Sequence, residues 1–184
     1  MTICISEPEP STIKDWVNKS ADYDAYKALK VRQIVLCGIP VAPTEDSVCH
    51  WCMHLIVDKS QSVTLDMRPC GPGNLDPMIG VLNIHPTVSD MANDSSAVEY
   101  VVETLMEVAV ETIVDILRGF NRHHYRFDET GSGCRYWCSI ALGDLENVRI
   151  VAAGSMKEFH ARVKELHEEN KSRFPMPIPK GKFF

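Results

Sequence analysis

Three runs rich in β-branched and aromatic residues follow one another closely: VRQIVLCGIPV (31–41), CHWCMHLIVD (49–58) and SVTLDM (62–67). Each reads as a strand. Only the polar tripeptide KSQ separates the second from the third, which predicts an antiparallel hairpin, since a parallel pair needs a long crossover. The Gly/Pro-rich RPCGPGNLDP that follows must be a loop, and GVLNIHP reads as another short strand. An antiparallel sheet is therefore the expected centre of the fold.

The helices follow from period and caps. Val98, Val101, Val102, Leu105, Val108, Ala109, Thr112, Ile113, Ile116 and Leu117 recur at helical spacing and predict one long helix over 97–118. Ser96 with Glu99 resembles a capping box, and Gly119 stands where a C-terminal cap belongs. Glu99, Glu103, Glu107, Glu111 and Asp115 recur every four residues and read as a solvated face, with an interaction surface as the alternative. HHYRFDE reads as a strand with Tyr125 and Phe127 on one side, and VRIVA (148–152) as a short extended run. A helix is expected from Cys134 to Asp144. Another is expected from Ser155 to Ser172, opened by Ser155 and Glu158 and striped with Phe159, Val163 and Leu166. The expected class is α+β, an antiparallel sheet packed against helices. Residues 1–24 should form a loosely attached arm, 25–174 a single domain and 175–184 an extended C-terminal tail.

Net charge −6 argues against a nucleic-acid or anionic-membrane surface, and no apolar run reaches the roughly 18 residues of a membrane span. MTICISEPEPSTIKDW has no basic stretch followed by an apolar one, so a signal peptide is not expected. Seven cysteines, an odd number in a mid-sized chain, suit reduced thiols in the cytoplasm better than a disulfide framework.

Chemistry gathers around GSGCRYWCSIALGDLE (131–146). Cys134 follows a Gly-Ser-Gly turn and opens a helix, where free backbone N–H groups stabilise a thiolate and can hold a developing oxyanion. The alternative is a buried, inert thiol. Cys138, one turn further in, reads as core, with a resolving thiol as the minority reading. A nucleophilic thiol needs a base. On the second strand His50, Cys52 and His54 share one face, and Trp51, Met53 and Leu55 the other. Two histidines in an apolar strand are costly to bury without partners. The CHWC spacing of Cys49 and Cys52 invites comparison with a zinc or redox pair, but on a strand the two sulfurs diverge, so neither metal nor cofactor is expected.

HWCMHLIV followed at a distance by GCRYWCSIAL resembles the lecithin retinol acyltransferase-like family, which shares a circularly permuted, papain-like thiol fold with the NlpC-type peptidases. In that family a strand reading H-W-[AS]-x-x-[VL] carries the catalytic His, and a later helix opening N-C-x-x-[FW] carries the nucleophile. His50-Trp51 matches the first motif and Cys134 with Trp137 the second, over roughly residues 31–150. The order of His before Cys and a helix-then-strand lead-in over 97–127 match the permuted branch. The ending PMPIPKGKFF makes the chain look closest to fungal members of unknown function. Gly133 stands where the family has Asn, the family's C-terminal membrane anchor is not seen, and its third residue, a His, has Asp66 or Thr64 as the nearest candidate.

The resemblance implies a cysteine-dependent hydrolase or acyltransferase acting on an ester, thioester or amide of a small molecule. Cys134 would attack, His50 would move the proton, and Asp66 would orient the imidazole. His54, Arg135 and Trp137 are the candidate substrate-binding residues, Arg135 or His54 for an anionic group. The rival expectation is a non-catalytic binding or interaction protein on the same fold, with an unreactive thiol and no cleft between strand and helix. The oligomeric state is left open.

Overall fold

The computed structural model describes residues 16–72, 74–87 and 97–184. Its elements in chain order are β1 (Val17–Lys19), α1 (Tyr23–Tyr26), β2 (Lys30–Pro40), β3 (Cys49–Ile56), β4 (Ser62–Pro69), β5 (Gly80–Thr87), β6 (Val98–Ala109), α2 (Val110–Gly119), β7 (Tyr125–Arg126), α3 (Cys134–Asn147), α4 (Ser155–Glu169) and β8 (Lys182–Phe183). The class is α+β.

Strands β2 to β5 form an antiparallel meander, as the short connections require. β6 returns antiparallel to β2 at one edge and β1 pairs parallel with β5 at the other, giving the order β1-β5-β4-β3-β2-β6. Alternation sends Ile34, Leu36, Trp51, Met53, Leu55, Val63, Leu65, Met67, Leu82 and Ile84 to one face, all in a single core cluster with α2, α3 and α4. Phe159 of α4 packs edge-on against Trp51 at 5.5 Å between ring centroids. Gly38 makes that face possible: a Cβ there would meet the Trp51 indole at 2.8 Å.

The expected 97–118 helix is instead a strand followed by a helix. Val98, Tyr100, Val102 and Thr104 turn inward while Glu99, Val101, Glu103 and Leu105 turn out, an alternation that the spacing of the glutamates and of Val98, Val102 and Val108 also satisfies. Pairing with β2 decides between the two periods, because β-branched and aromatic residues lose less in a sheet than in a helix. Helix begins only at Val110, where Val110, Ile113, Val114 and Leu117 are buried. The acidic residues 99, 103, 107, 111 and 115 are exposed, though on two elements. The helix ends at Gly119, but the left-handed residue that closes it is Asn121 (φ 57°). Ser96 lies outside the described residues, and Glu99 belongs to the strand.

Other boundaries also move. Val17–Lys19 pairs with β5 and Tyr23 is 5% exposed, so residues 16–24 are part of the domain rather than a loose arm, while residues 1–15 lie outside the described ones. α4 starts after Gly154 and ends at Glu169. Its first N–H groups are held by Glu146 of α3, which accepts from Gly154 and Met156 at 2.8 and 2.9 Å, so the Ser155/Glu158 box is not used. The HHYRFDE strand shrinks to β7, and Tyr125 and Phe127, expected on one side, are both buried. β7 pairs with β8 of the C-terminal tail. Only Val151 of VRIVA bridges, to Thr104. Among the described residues no helix is long and apolar enough to cross a membrane.

Candidate active site

Cys134 is the first residue of α3, and the turn before it depends on Gly133. That residue has φ 139°, a region L side chains avoid, and a Cβ there would come 2.5 Å from the Tyr125 hydroxyl. The Tyr125 hydroxyl donates to the Gly133 carbonyl at 2.9 Å and accepts from the Gly181 N–H at 2.9 Å, tying the turn to the C-terminal tail. The side chain of Cys134 is partly exposed, whereas Cys138 is fully buried.

A fork in the sheet receives the sulfur. β3 pairs with β4 from Met53↔Leu65 to Ile56↔Ser62. Beyond that point Cys49–Cys52 stays with β2, and Asp66–Pro69 stays with β5. The Trp51 N–H donates into this fork, to Cys134 Sγ at 3.3 Å. His50 reaches across it, with Nε2 and Asp66 Oδ1 2.6 Å apart. The second carboxylate oxygen of Asp66 accepts from Arg68 Nε at 2.5 Å.

The three groups shift one another in a consistent sense. Burial opposes ionisation of Cys134, but hydrogen bonding to His50, the imidazolium charge and the N–H groups of Trp51 and Arg135 outweigh it and lower the thiol's pKa. Burial likewise opposes the charge on His50, yet its hydrogen bonds to Asp66 and Cys134 raise it to about 9. Asp66, despite burial, is held below the usual carboxylate range by His50 and Arg68. Each of the three shifts favours the charged form of its group: carboxylate, imidazolium and thiolate. Cys138, by contrast, is pushed well up by burial and stays a neutral thiol.

A cavity of about 220 Å³ opens beside the sulfur, lined by His50, Trp51, Cys134, Arg135 and the Thr130–Gly133 turn. Val41 and Val48, exposed at the base of the loop that joins β2 to β3, and Pro175 and Pro179 of the tail form other walls. Of the expected residues, Cys134, His50 and Asp66 come together, and Arg135 joins them at the cavity. Two expected substrate-binding residues do not. Trp137 is fully buried and donates Nε1–H to the Arg122 carbonyl at 2.7 Å, so its indole is core. His54 is 5% exposed, with Nε2 3.2 Å from Cys52 Sγ and Nδ1 2.9 Å from Thr64 Oγ1. Thr64 is thereby the partner of His54, and Asp66 the partner of His50.

Cys49 and Cys52 do diverge: Arg173 Nε donates to Cys49 Sγ at 3.4 Å, while Cys52 faces His54. Among the described residues, Cys37, Cys49, Cys52, Cys70, Cys134 and Cys138 are free. Sequence reasoning missed Arg173, Val41, Val48 and the proline walls, all brought to the cavity by long-range packing. The prolines of FPMPIP were legible as an extended tail but not as a wall.

A family model described as a domain of unknown function (DUF7770) matches residues 34–184. No curated protein and no solved structure matches the chain.

Proposed function

We propose that this chain, which belongs to the DUF7770 family, is a cysteine-dependent hydrolase or acyltransferase with Cys134 as nucleophile, His50 as base and Asp66 as its positioning residue. The observation that carries this reading is His50 set between the Cys134 thiol and the Asp66 carboxylate at the mouth of a cavity. A binding protein using these residues only for packing has no need of a thiol at a helix N-terminus that opens on a cavity and faces an imidazole held by a buried carboxylate. The circularly permuted papain-like arrangement belongs to the same reading: the strand bearing His50 precedes the helix bearing Cys134, and the helix docks its first residue at the strand. Free thiols at six positions fit a reducing compartment such as the cytoplasm.

In the reaction the Cys134 thiolate adds to the carbonyl carbon of a small ester, thioester or amide. The oxyanion is held by N–H groups at the start of α3. Collapse breaks the bond to the leaving group, which takes the proton from the His50 imidazolium through the ring nitrogen not engaged by Asp66. Water or another acceptor then attacks the acyl-thioester, gives its proton to His50, and the thiolate is restored. The acceptor alone separates hydrolysis from transfer.

The test is a peptide map after limited iodoacetamide treatment near pH ~6.5, where only a thiol of depressed pKa reacts quickly. Cys134 should be labelled well ahead of every other cysteine, and His50→Ala should abolish that lead. Equal or slower labelling of Cys134 in the wild type overturns the reading.

A further inference from the structure

The cavity beside Cys134 is cationic in a chain that is acidic overall. The sequence carries 25 Asp and Glu against 19 Lys and Arg, yet among the described residues that line the cavity there is no carboxylate, and Arg135, Arg173 and His50 all do. His50 is already occupied, since Asp66 holds its Nε2.

Arg135 is the unexplained group. It is only 5% exposed. Its Nη2 donates to the Pro175 carbonyl at 2.5 Å, and its buried Nε has no hydrogen-bond partner among the described residues. Burial depresses its pKa, and what opposes that shift comes from the neighbouring Cys134 and Cys49 sulfurs rather than from any carboxylate. A buried guanidinium with an idle donor and no carboxylate is expensive to keep. Half-buried Arg122, by contrast, satisfies this demand internally by pairing with Asp144. At Arg135 the demand is left open beside the reacting atom.

Resting on the thiol-acyl chemistry above, we infer that the substrate is a small anionic acyl compound, one that carries a carboxylate a few carbons from its reacting carbonyl, and that Arg135 binds this anion. A cavity of about 220 Å³ lies below the roughly 300 Å³ where pockets for drug-sized ligands begin, which suits a short chain. The apolar walls from Val41, Val48 and Pro179 would take the methylenes between the two ends.

Two alkylating reagents that differ in charge test this on the protein itself. Iodoacetate carries the carboxylate and iodoacetamide does not, and both transfer their methylene carbon to sulfur with loss of iodide. The ratio of the two rates at Cys134 should exceed the ratio at Cys70 of the same protein by about 10-fold or more, the range of one charge-assisted hydrogen bond. Arg135→Gln should lower the Cys134 ratio about 10-fold, and Arg135→Lys should keep most of it. A ratio at Cys134 equal to that at Cys70, or one unmoved in Arg135→Gln, overturns the inference and leaves the thiol chemistry standing. If Cys134 reacts no faster than Cys70 with either reagent, the thiol reading fails. The anion site is then decided separately in Cys134→Ala by thermal melting with glutarate against glutaramide at equal ionic strength. Stabilisation by glutarate alone supports the site, and equal curves overturn it. The same pair of compounds serves if Arg135→Gln does not fold: glutarate, not glutaramide, should slow alkylation of wild-type Cys134, and equal rates overturn the inference.

Discussion

Asp66 divides its carboxylate between His50 and Arg68, one oxygen 2.6 Å from the imidazole Nε2 and the other 2.5 Å from the guanidinium Nε. The contact to His50 and the ion pair to Arg68 are thus parts of one arrangement. Arg68 is 62% exposed on its side chain while Asp66 is 5% exposed, so the arginine steadies the carboxylate from the solvent side and the histidine meets it from within. Arg68 contributes little energy of its own at that exposure.

The first prediction concerns Asp66→Asn. Losing the carboxylate removes the charge that supports the imidazolium, so the pH–alkylation profile of Cys134 should shift and its rate near pH ~6.5 should fall about 10-fold. Profiles of wild type and variant that superimpose would take Asp66 out of the site.

Stability gives a second readout with a definite sign. His50 is raised in the fold to about 9, so its share of the stability is complete below its unfolded value of ~6.5 and is lost as pH climbs through 9. Asp66 is lowered in the fold, so its share is complete above its unfolded value of ~3.9 and is lost as pH falls through the lower folded value. Both shares are present between roughly pH 4 and 6.5. The Tm difference between wild type and Asp66→Asn should be widest in that window and should narrow toward pH ~10. A difference that grows above pH ~9 would contradict the charged pair.

Cys138 and Cys37 supply the controls. Cys138 is fully buried with its pKa raised by burial, so it should be the slowest thiol to label, and Cys138→Ala should cost on the order of 1 kcal/mol while sparing Cys134 reactivity. Cys37 is lowered, chiefly by its hydrogen bond with Cys52, but it is 3% exposed, so it too should label slowly. Chemical denaturation together with peptide mapping checks both. Loss of Cys134 labelling in Cys138→Ala at unchanged stability would mean that the nucleophile has been assigned to the wrong turn of α3.

How far the sequence was legible follows from what each feature depends on. Alternation in HWCMHLIV placed Trp51, Met53 and Leu55 in the core and His50 and His54 opposite, because period two is a local property of extended backbone. Cys134 at a helix start was equally local, written in GSGC. Residues 98–109 misled because the valines at 98, 102 and 108 and the glutamates at 99, 103 and 107 fit alternation as well as a helical reading, and only pairing with β2 selects the strand. His54 was read as a site residue because it shares a strand face with His50, and Trp137 because it completes the motif that opens with Cys134. Their partners, Thr64 and the Arg122 carbonyl, come from other elements and absorb their polar atoms. Arg173 and the proline walls reach the cavity only through the path of the C-terminal tail, which no local pattern encodes.

The last prediction tests why Gly133 stands where the thiol family that the sequence resembles has Asn. Two constraints meet at this position. Its φ of 139° lies where a side chain is strained, and the space a Cβ would need holds the Tyr125 hydroxyl. Asn tolerates the compact left-handed region near φ +60°, but this backbone is well beyond it. Gly133→Asn should therefore displace Tyr125, break its bonds to the Gly133 carbonyl and the Gly181 N–H, and move the first turn of α3 away from the fork that receives Cys134 Sγ. The expected cost is roughly 2–4 kcal/mol of stability, from strain together with lost hydrogen bonds, and Cys134 labelling near pH ~6.5 should slow toward that of an ordinary thiol. Tyr125→Phe separates the two constraints. It removes the hydroxyl and part of the clash while leaving the φ strain, so Gly133→Asn combined with Tyr125→Phe should recover part of the lost stability, relative to the sum of the single variants, in a double-mutant cycle by denaturant unfolding. Strict additivity of the two would show that the hydroxyl is not what demands glycine, and an unaltered Tm in Gly133→Asn alone would show that nothing does.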